Sequence, residues 1–316
     1  MQPELYPLKF ESIYKDKIWG GRKFSEILGR SLPEGLIGES WDVAAHNHGA
    51  SIVSNGDLKG KTLVELVDLY GEELLGHKGI NPQSKFPLLL KLIDANDDLS
   101  VQVHPDDIYV AKHGIDAWGK AEMWYVVHAE PEAWIIWGLR EGVTKEEMSK
   151  ALECGGEAVL DCLNKVYVKP GEVYPISAGL VHALGAGVVV FEVQQNSDTT
   201  FRFYDWDRLD DQGRPRDLHL EQALEVTDFS ANHKDPAYQF SRCEKYFKLN
   251  ILEQPKNFSM DLDDSFAILT VFRGKAEVTV NGVVTEMESG QSLLVPACLG
   301  TCAVSSNGIV LSSSLP

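Results

Sequence analysis

Six short runs in the first two-thirds of the chain set the strongest limit on its fold: KFPLLLKLID (85–94), LSVQVH (99–104), EMWYVVHA (122–129), AWIIWGL (133–139), KVYVKPGEVYPIS (165–177) and GVVVFEVQQ (187–195). They are rich in Val, Ile, Trp, Tyr and Phe, and Gly, Pro or acidic turns separate them. Such spacing predicts antiparallel β architecture. Helical patterning is confined to KTLVELVDLYGEELLG (61–76), TKEEMSKALECGGEAVLDCL (144–163) and RDLHLEQALEVTDF (216–229). The second of these reads as a helix pair broken at Gly155-Gly156 and inserted between strands. A stretch without periodicity at 230–247 reads as a connector, after which short strands resume. A boundary is therefore placed near 240. It separates a larger domain at 1–240, with a helical insert at about 143–164, from a smaller β domain at 241–316.

Bulk properties narrow the function. A chain of 316 residues can bury a sizeable core and is expected to hold about two domains. Its net charge of −18 argues against nucleic acid or an anionic membrane as partner, because those contacts need concentrated Lys and Arg. An anionic substrate would need a local island of basic side chains. No apolar run approaches the ~20 residues of a membrane span, and the opening MQPELYPLKFESIYKDK has no secretory signal pattern. The five cysteines, at 154, 162, 243, 298 and 302, are too scattered for a zinc knuckle. Their odd number suits reduced thiols. A cytoplasmic monomer or small homo-oligomer is the expectation.

A repeat is visible in two turns. PGEVYPISAGLVHAL (170–184) and SGQSLLVPACLGTCAV (289–304) each begin at a turn glycine, Gly171 or Gly290, run up a strand, and turn again near Ser177 or Pro296. Both resemble the second sequence motif of cupins. The first copy keeps Gly171, Gly179 and His182, with Ser177 where that motif usually has Pro; the second keeps Gly290 and Pro296 and lacks the His. FRGKAEVTVNG (272–282) similarly resembles a first cupin motif without ligands. The resemblance implies an all-β chain with a few helices, built as two jelly-roll barrels of which only the first is armed.

Within the first barrel, alternation along residues 99–104 puts Ser100, Gln102 and His104 on one face and Leu99, Val101 and Val103 on the other. Gln102 and His104, Glu122 at the start of the next strand, and His182 after the Gly179 turn form a candidate donor set for zinc. Two neutral imidazoles, an amide oxygen and one carboxylate would leave the metal with a net charge of about +1, attractive to an anion. Each residue also has a plainer reading. Either histidine could be a hydrogen-bonded structural residue, and Glu122 a solvated strand start. His46 and His48 share the same spacing, and His113, His128 and His219 compete, though these look like surface or packing residues.

Several segments together resemble type I mannose-6-phosphate isomerase in its short bacterial form. They are KIWGGRKF (17–24), IGESWDVAAH (37–46), FPLLLKLIDANDDLSVQVHPDD (86–107), GKAEMWYVV (119–127), GLVHAL (179–184) and FRFYDWDR (201–208), in order through most of residues 5–225. The resemblance implies that Gln102, His104, Glu122 and His182 are ligands of one zinc ion, with Gln102 either direct or one shell out. It implies an active-site role for Arg202, with Asp198 and Glu192 as acidic residues near the chemistry. Ser100, Lys91 and Lys120 would line a pocket for a small phosphorylated sugar. Aldose–ketose isomerisation moves a proton between C1 and C2 through an enediol and needs a proton carrier and a stabiliser of oxygen charge. Guanidinium stays protonated, so Arg202 is assigned to the oxyanion or the phosphate, against the alternative of a salt bridge to Asp198 or Asp205. Glu192, Asp198 and a lysine remain open as the proton carrier. Two other readings of the cupin pattern are an iron-dependent dioxygenase and a non-catalytic sugar-binding or regulatory protein.

Overall fold

The computed structural model describes residues 3–209, 212–230, 241–262 and 264–316. Contacts divide the chain into two compact units. One comprises the described parts of Lys17–Gly21 and Ile93–Tyr238; the other comprises those of Met1–Asp16, Arg22–Leu92 and Gln239–Pro316. Among the described residues, no helix is long and apolar enough to cross a membrane.

Eight strands of the first unit matter for function: β1 (Val101–Val103), β2 (Glu122–Ala129), β3 (Trp134–Leu139), β4 (Leu163–Tyr167), β5 (Val173–Ile176), β6 (His182–Leu184), β7 (Val188–Gln195) and β8 (Phe201–Tyr204). One sheet runs β4-β3-β6-β1-β8, and β5, β2 and β7 are consecutive neighbours in another. Their pairings are antiparallel, as the sequence predicts. Trp124, Val126, Tyr174, Ile176, Val188 and Val190 from one sheet and Ile135, Trp137 and Leu184 from the other share a single buried cluster. The core thus lies between two sheets, the arrangement expected of a closed double-sheet barrel.

The opposite face of the β1–β6 sheet is also apolar. Val101, Val103, Ile136, Ala183, Phe201 and Phe203 pack there beneath Met148, Ala151, Val159 and Ala223 of three helices. The insert is a helix pair, Lys145–Cys154 and Gly156–Leu160, between β3 and β4. Thr144 and Glu147 form a capping box at its start, and Gly155 in the left-handed region (φ 79°) ends the first helix. With both faces of β1 covered, its polar alternation is directed into the barrel rather than to water.

Two segments differ from expectation. The strand read over 99–104 is only Val101–Val103. The His104 carbonyl accepts from Gly179 N–H (2.9 Å) at a turn instead of continuing the ladder. In the stretch read as a connector, residues 231–240 lie outside the described residues, as does the boundary placed near 240. Ser241–Cys243 is a strand, paired with Lys248–Glu253; a ladder supplied by a partner strand leaves no periodic trace in three residues.

The second unit contains a six-stranded sheet, ordered Leu8–Lys9, Ser292–Val295, Ala267–Arg273, Ile309–Ser314, Lys248–Glu253, Ser241–Cys243, and a four-stranded one. Leu269, Val271, Val278, Val280, Leu293, Val304 and Val310 fill its core. The buried Arg30 guanidinium bonds both oxygens of Asp42 (2.9 and 2.5 Å), Ser40 Oγ (2.6 Å) and the Gly290 carbonyl. Residues near the start of the chain therefore hold the turn of the second motif copy.

The turn before His182 depends on Gly179, whose φ is +85° and whose added Cβ would stand 3.0 Å from the Val226 carbonyl oxygen. Gly179→Ala is expected to destabilise the protein by about 1–2 kcal/mol, measured as a lowered midpoint of urea unfolding.

Candidate active site

The inner face of β1 presents Gln102, which stands directly opposite His182 on β6 and opposite Arg202 on β8. Glu122 opens β2, and His104 follows β1 by one residue. Three of these converge: one ligand atom each from His104, Glu122 and His182 lies within 4.8 Å of the others. All three are buried, at 0%, 2% and 0% exposure. His104 Nε2 is 3.2 Å from Glu122 Oε1, and His182 Nε2 is 3.8 Å from Glu122 Oε2.

Backbone carbonyls set both imidazole tautomers. His104 Nδ1 lies 3.0 Å from the Thr199 oxygen, and His182 Nδ1 lies 2.8 Å from the Leu180 oxygen. A carbonyl can only accept, so each Nδ1 carries the proton and each Nε2 turns a lone pair toward Glu122. Gln102 completes the group, with its amide nitrogen 3.3 Å from His182 Nε2. A half-turn of that terminal torsion would bring the amide oxygen to the same place.

Electrostatics favour this donor state. Burial pushes the His104 imidazole down to about 3, assisted by the Lys120 ammonium and opposed by Glu122. Burial also lowers His182. For Glu122, burial alone would raise the carboxyl, but Lys120, followed by His104 and His182, holds it well below the usual carboxylate range. Lys120 Nζ approaches Glu122 Oε1 at 2.6 Å and His104 Nε2 at 3.2 Å. Among the described residues, neither Glu122 oxygen receives a well-directed hydrogen bond. Two neutral imidazoles with converging lone pairs and an ionised carboxylate left without directed donors fit a divalent metal ion.

Lys120 is in the loop before β2 rather than on a strand, and tight backbone contacts place it there. Its N–H donates to the Pro105 carbonyl (2.9 Å), and Gly119 N–H donates to Asp107 Oδ1 (2.9 Å). A Cβ on Gly119 would stand 2.5 Å from Asp107 N and 2.6 Å from the Asp106 carbonyl carbon, so only glycine fits. Gln195 joins the same loop by accepting from Ala121 N–H and donating to Asp107. HPDD and GKAE, widely separated in sequence, are two halves of one support.

The other residues singled out in the sequence are distributed as follows. Arg202 is half-buried, and its Nε has no hydrogen-bond partner among the described residues. Burial, and next the neighbouring Arg216, lower its pKa. Asp205, one of its alternative partners from sequence, is occupied instead by Arg216 (Nε–Oδ2 2.6 Å) and by Arg208 (3.5 Å). Asp198 is exposed, and Ser100 is buried just before β1. Glu192 is buried on β7, where its Oε2 accepts from Trp124 Nε1 at 2.8 Å. Lys91 belongs to the second unit, buried on Leu88–Ala95 with its ammonium 5.7 Å from the Trp41 ring centroid. Competing histidines have other contacts. His113 stacks on Tyr109, His128 meets Glu130, and His219 Nδ1 lies 3.3 Å from the Arg202 backbone nitrogen. Sequence reasoning missed the Thr199 and Leu180 carbonyls, which carry no side-chain signal, and Trp124, which reads as ordinary core.

Two family profiles match the chain. "Phosphomannose isomerase type I, catalytic domain" matches residues 7–117, and "Mannose-6-phosphate isomerase, cupin domain" matches residues 237–315. A mannose-6-phosphate isomerase of Streptococcus mutans is 37% identical over 301 residues, covering 92% of this chain and 92% of its own. The chain belongs to the type I mannose-6-phosphate isomerase family. The crystal structure of the mannose 6-phosphate isomerase from Bacillus subtilis matches with a TM-score of 0.86 at 32% identity, covering 97% of this chain and 99% of that one. A mannose 6-phosphate isomerase described as holo and zinc-bound shares the fold, with a TM-score of 0.78 at 18% identity and coverage of 98% and 99%. Family membership identifies an isomerase and implies a phosphorylated sugar as its substrate.

The depressed imidazoles make the isomerase acid-sensitive when kept in excess chelator. His104 and His182 take up protons in the unfolded chain at about pH 6.5 and at lower pH in the fold, where burial holds His104 near 3. Their stability contribution is therefore complete above pH 6.5 and declines as pH falls toward 3. Urea titrations across this range are expected to show that slope, with His104→Gln making it shallower.

Proposed function

We propose that this family member interconverts mannose 6-phosphate and fructose 6-phosphate through an enediol, with one zinc ion per chain. The supporting observation is the buried His104–Glu122–His182 group, with both Nε2 lone pairs directed at an ionised carboxylate, in a chain whose fold is shared by a zinc-bound relative. Gln102 is the fourth donor in this reading. When bound, zinc supplies positive charge that stabilises negative charge developing on the sugar oxygens.

The chain's own groups take the remaining work. Isomerisation removes the C2 proton of the aldose and returns a proton to C1, while hydroxyl and carbonyl exchange places between those carbons. Arg202, fixed in charge and with an uncommitted Nε, stabilises the oxyanion or binds the phosphate. Lys120 donates to sugar oxygens from beside the ligand group, and Ser100 lines the sugar. Lys91 keeps its assignment to phosphate binding on sequence grounds alone. Lys120 and Arg202 meet the need for a basic island in a protein of net charge −18. Asp198, an exposed carboxylate four residues before Arg202, is the proton carrier in this reading. Residues 1–240 carry all of these groups. Residues 241–316 contain no histidine and serve no ligand role. The reading places the enzyme in the cytoplasm as a monomer or small homo-oligomer.

A coupled assay with mannose 6-phosphate, run with and without chelator, tests the proposal. Activity is expected from the parent, lost with chelator and restored by zinc; a parent inert toward this sugar would overturn it. Arg202→Ala should retain zinc and lose about 10²–10³ in kcat. Asp198→Asn should retain zinc yet stop incorporation of solvent deuterium at C1 and C2.

A further inference from the structure

Glu192 invites a role in proton transfer because it is a buried carboxylate close to the ligand group. Its contacts say otherwise. On β7 it stands directly opposite Trp124 of β2, and both side chains are only 2% exposed. Its Oε2 accepts the Trp124 indole N–H at 2.8 Å. The indole in turn meets the His182 ring edge to face, with centroids 5.4 Å apart and planes at 78°. His182 has two other polar contacts, Nδ1 with the Leu180 carbonyl at 2.8 Å and Nε2 with the Gln102 amide nitrogen at 3.3 Å. Both contacts are at ring nitrogens, so the ring plane can still tilt about the line joining them, and the Nε2 lone pair tilts with it. The indole limits that tilt on one side and the His104 ring, 4.7 Å away between centroids, on another; a buried indole N–H needs an acceptor to stay in place. A carboxylate provides a stronger, charge-assisted one.

We propose that Glu192 is a positioning residue, acting through Trp124 to aim His182 Nε2 at the metal, and is not the proton carrier. The inference rests on the zinc reading above. It makes Glu192 part of the metal's outer support through the Trp124 indole, and such supports typically change metal affinity by about 10–100-fold when lost.

The test uses Glu192→Gln, Glu192→Leu and Trp124→Phe in the full chain. Zinc affinity is read by competition with a chromophoric chelator, and ligand geometry by the visible absorption of the cobalt(II)-substituted protein. Glu192→Gln keeps an amide oxygen for the indole. It should bind zinc like the parent, give a parent-like cobalt spectrum and hold kcat within about threefold. Glu192→Leu and Trp124→Phe should weaken zinc binding about tenfold or more and alter the cobalt spectrum, with activity returning toward the parent at saturating zinc. If Glu192→Leu does not fold, Trp124→Phe decides alone, because it keeps an aromatic ring at the site while removing the indole N–H with its five-membered ring. Parent-like zinc affinity in Trp124→Phe overturns the proposal. So does a Glu192→Gln variant that binds zinc normally but loses about a hundredfold or more in kcat, the mark of a proton carrier. A parent that binds no zinc refutes the metal reading itself, an outcome distinct from either.

Discussion

Keeping the Glu122 carboxylate ionised in the interior is the constraint around which the first unit is organised. A buried charge without partners is strongly unfavourable. Here the compensating charge is the Lys120 ammonium at 2.6 Å, while the two imidazoles keep their protons on the far nitrogen and present lone pairs. Removing the Lys120 ammonium would leave the carboxylate uncompensated in a low-dielectric environment. The same arrangement that permits the charge also prepares it, because a carboxylate flanked by two lone pairs is already a ligand set.

Support for that arrangement comes from backbone as much as from side chains. Thr199 and Leu180 contribute only their carbonyls, Pro105 only its carbonyl, and Gly119 only the absence of a side chain. Leu180 acts two residues along on His182, whereas Thr199 and Pro105 act on residues distant in sequence. Precise placement in a metal site depends on such outer contacts. The helices of the insert contribute differently. They cover the outer face of the β1–β6 sheet, so the polar residues of β1 have nowhere to turn except inward.

Much of this was readable beforehand. Runs of β-branched and aromatic residues revealed β2, β3 and β7 almost to the residue, because strands buried on both faces carry a strong apolar signal. Gly155-Gly156 marked the break in the helix pair for an equally local reason. Ligand spacing was legible in SVQVH and GLVHAL because i, i+2 alternation and a turn glycine are properties of a few adjacent residues. Shorter elements were not. Ser241–Cys243 exists because a neighbouring strand pairs with it, and Lys120 is brought beside Glu122 by a loop in which the Asp106–Asp107 backbone packs against Gly119.

The amino-acid sequence by itself determined the β architecture, the four candidate donors and the family, since each rests on local periodicity or on short ordered motifs. Tertiary structure decided what those motifs do to one another. It grouped the described residues of 22–92 with those of 241–316, set the proton on Nδ1 of both histidines, gave Asp205 to Arg216 and Arg208, and turned Glu192 toward an indole. Such choices depend on which polar atoms meet after the chain closes. Hydrogen-bond partners are fixed by distance in space, and sequence spacing carries no record of them across eighty residues of barrel.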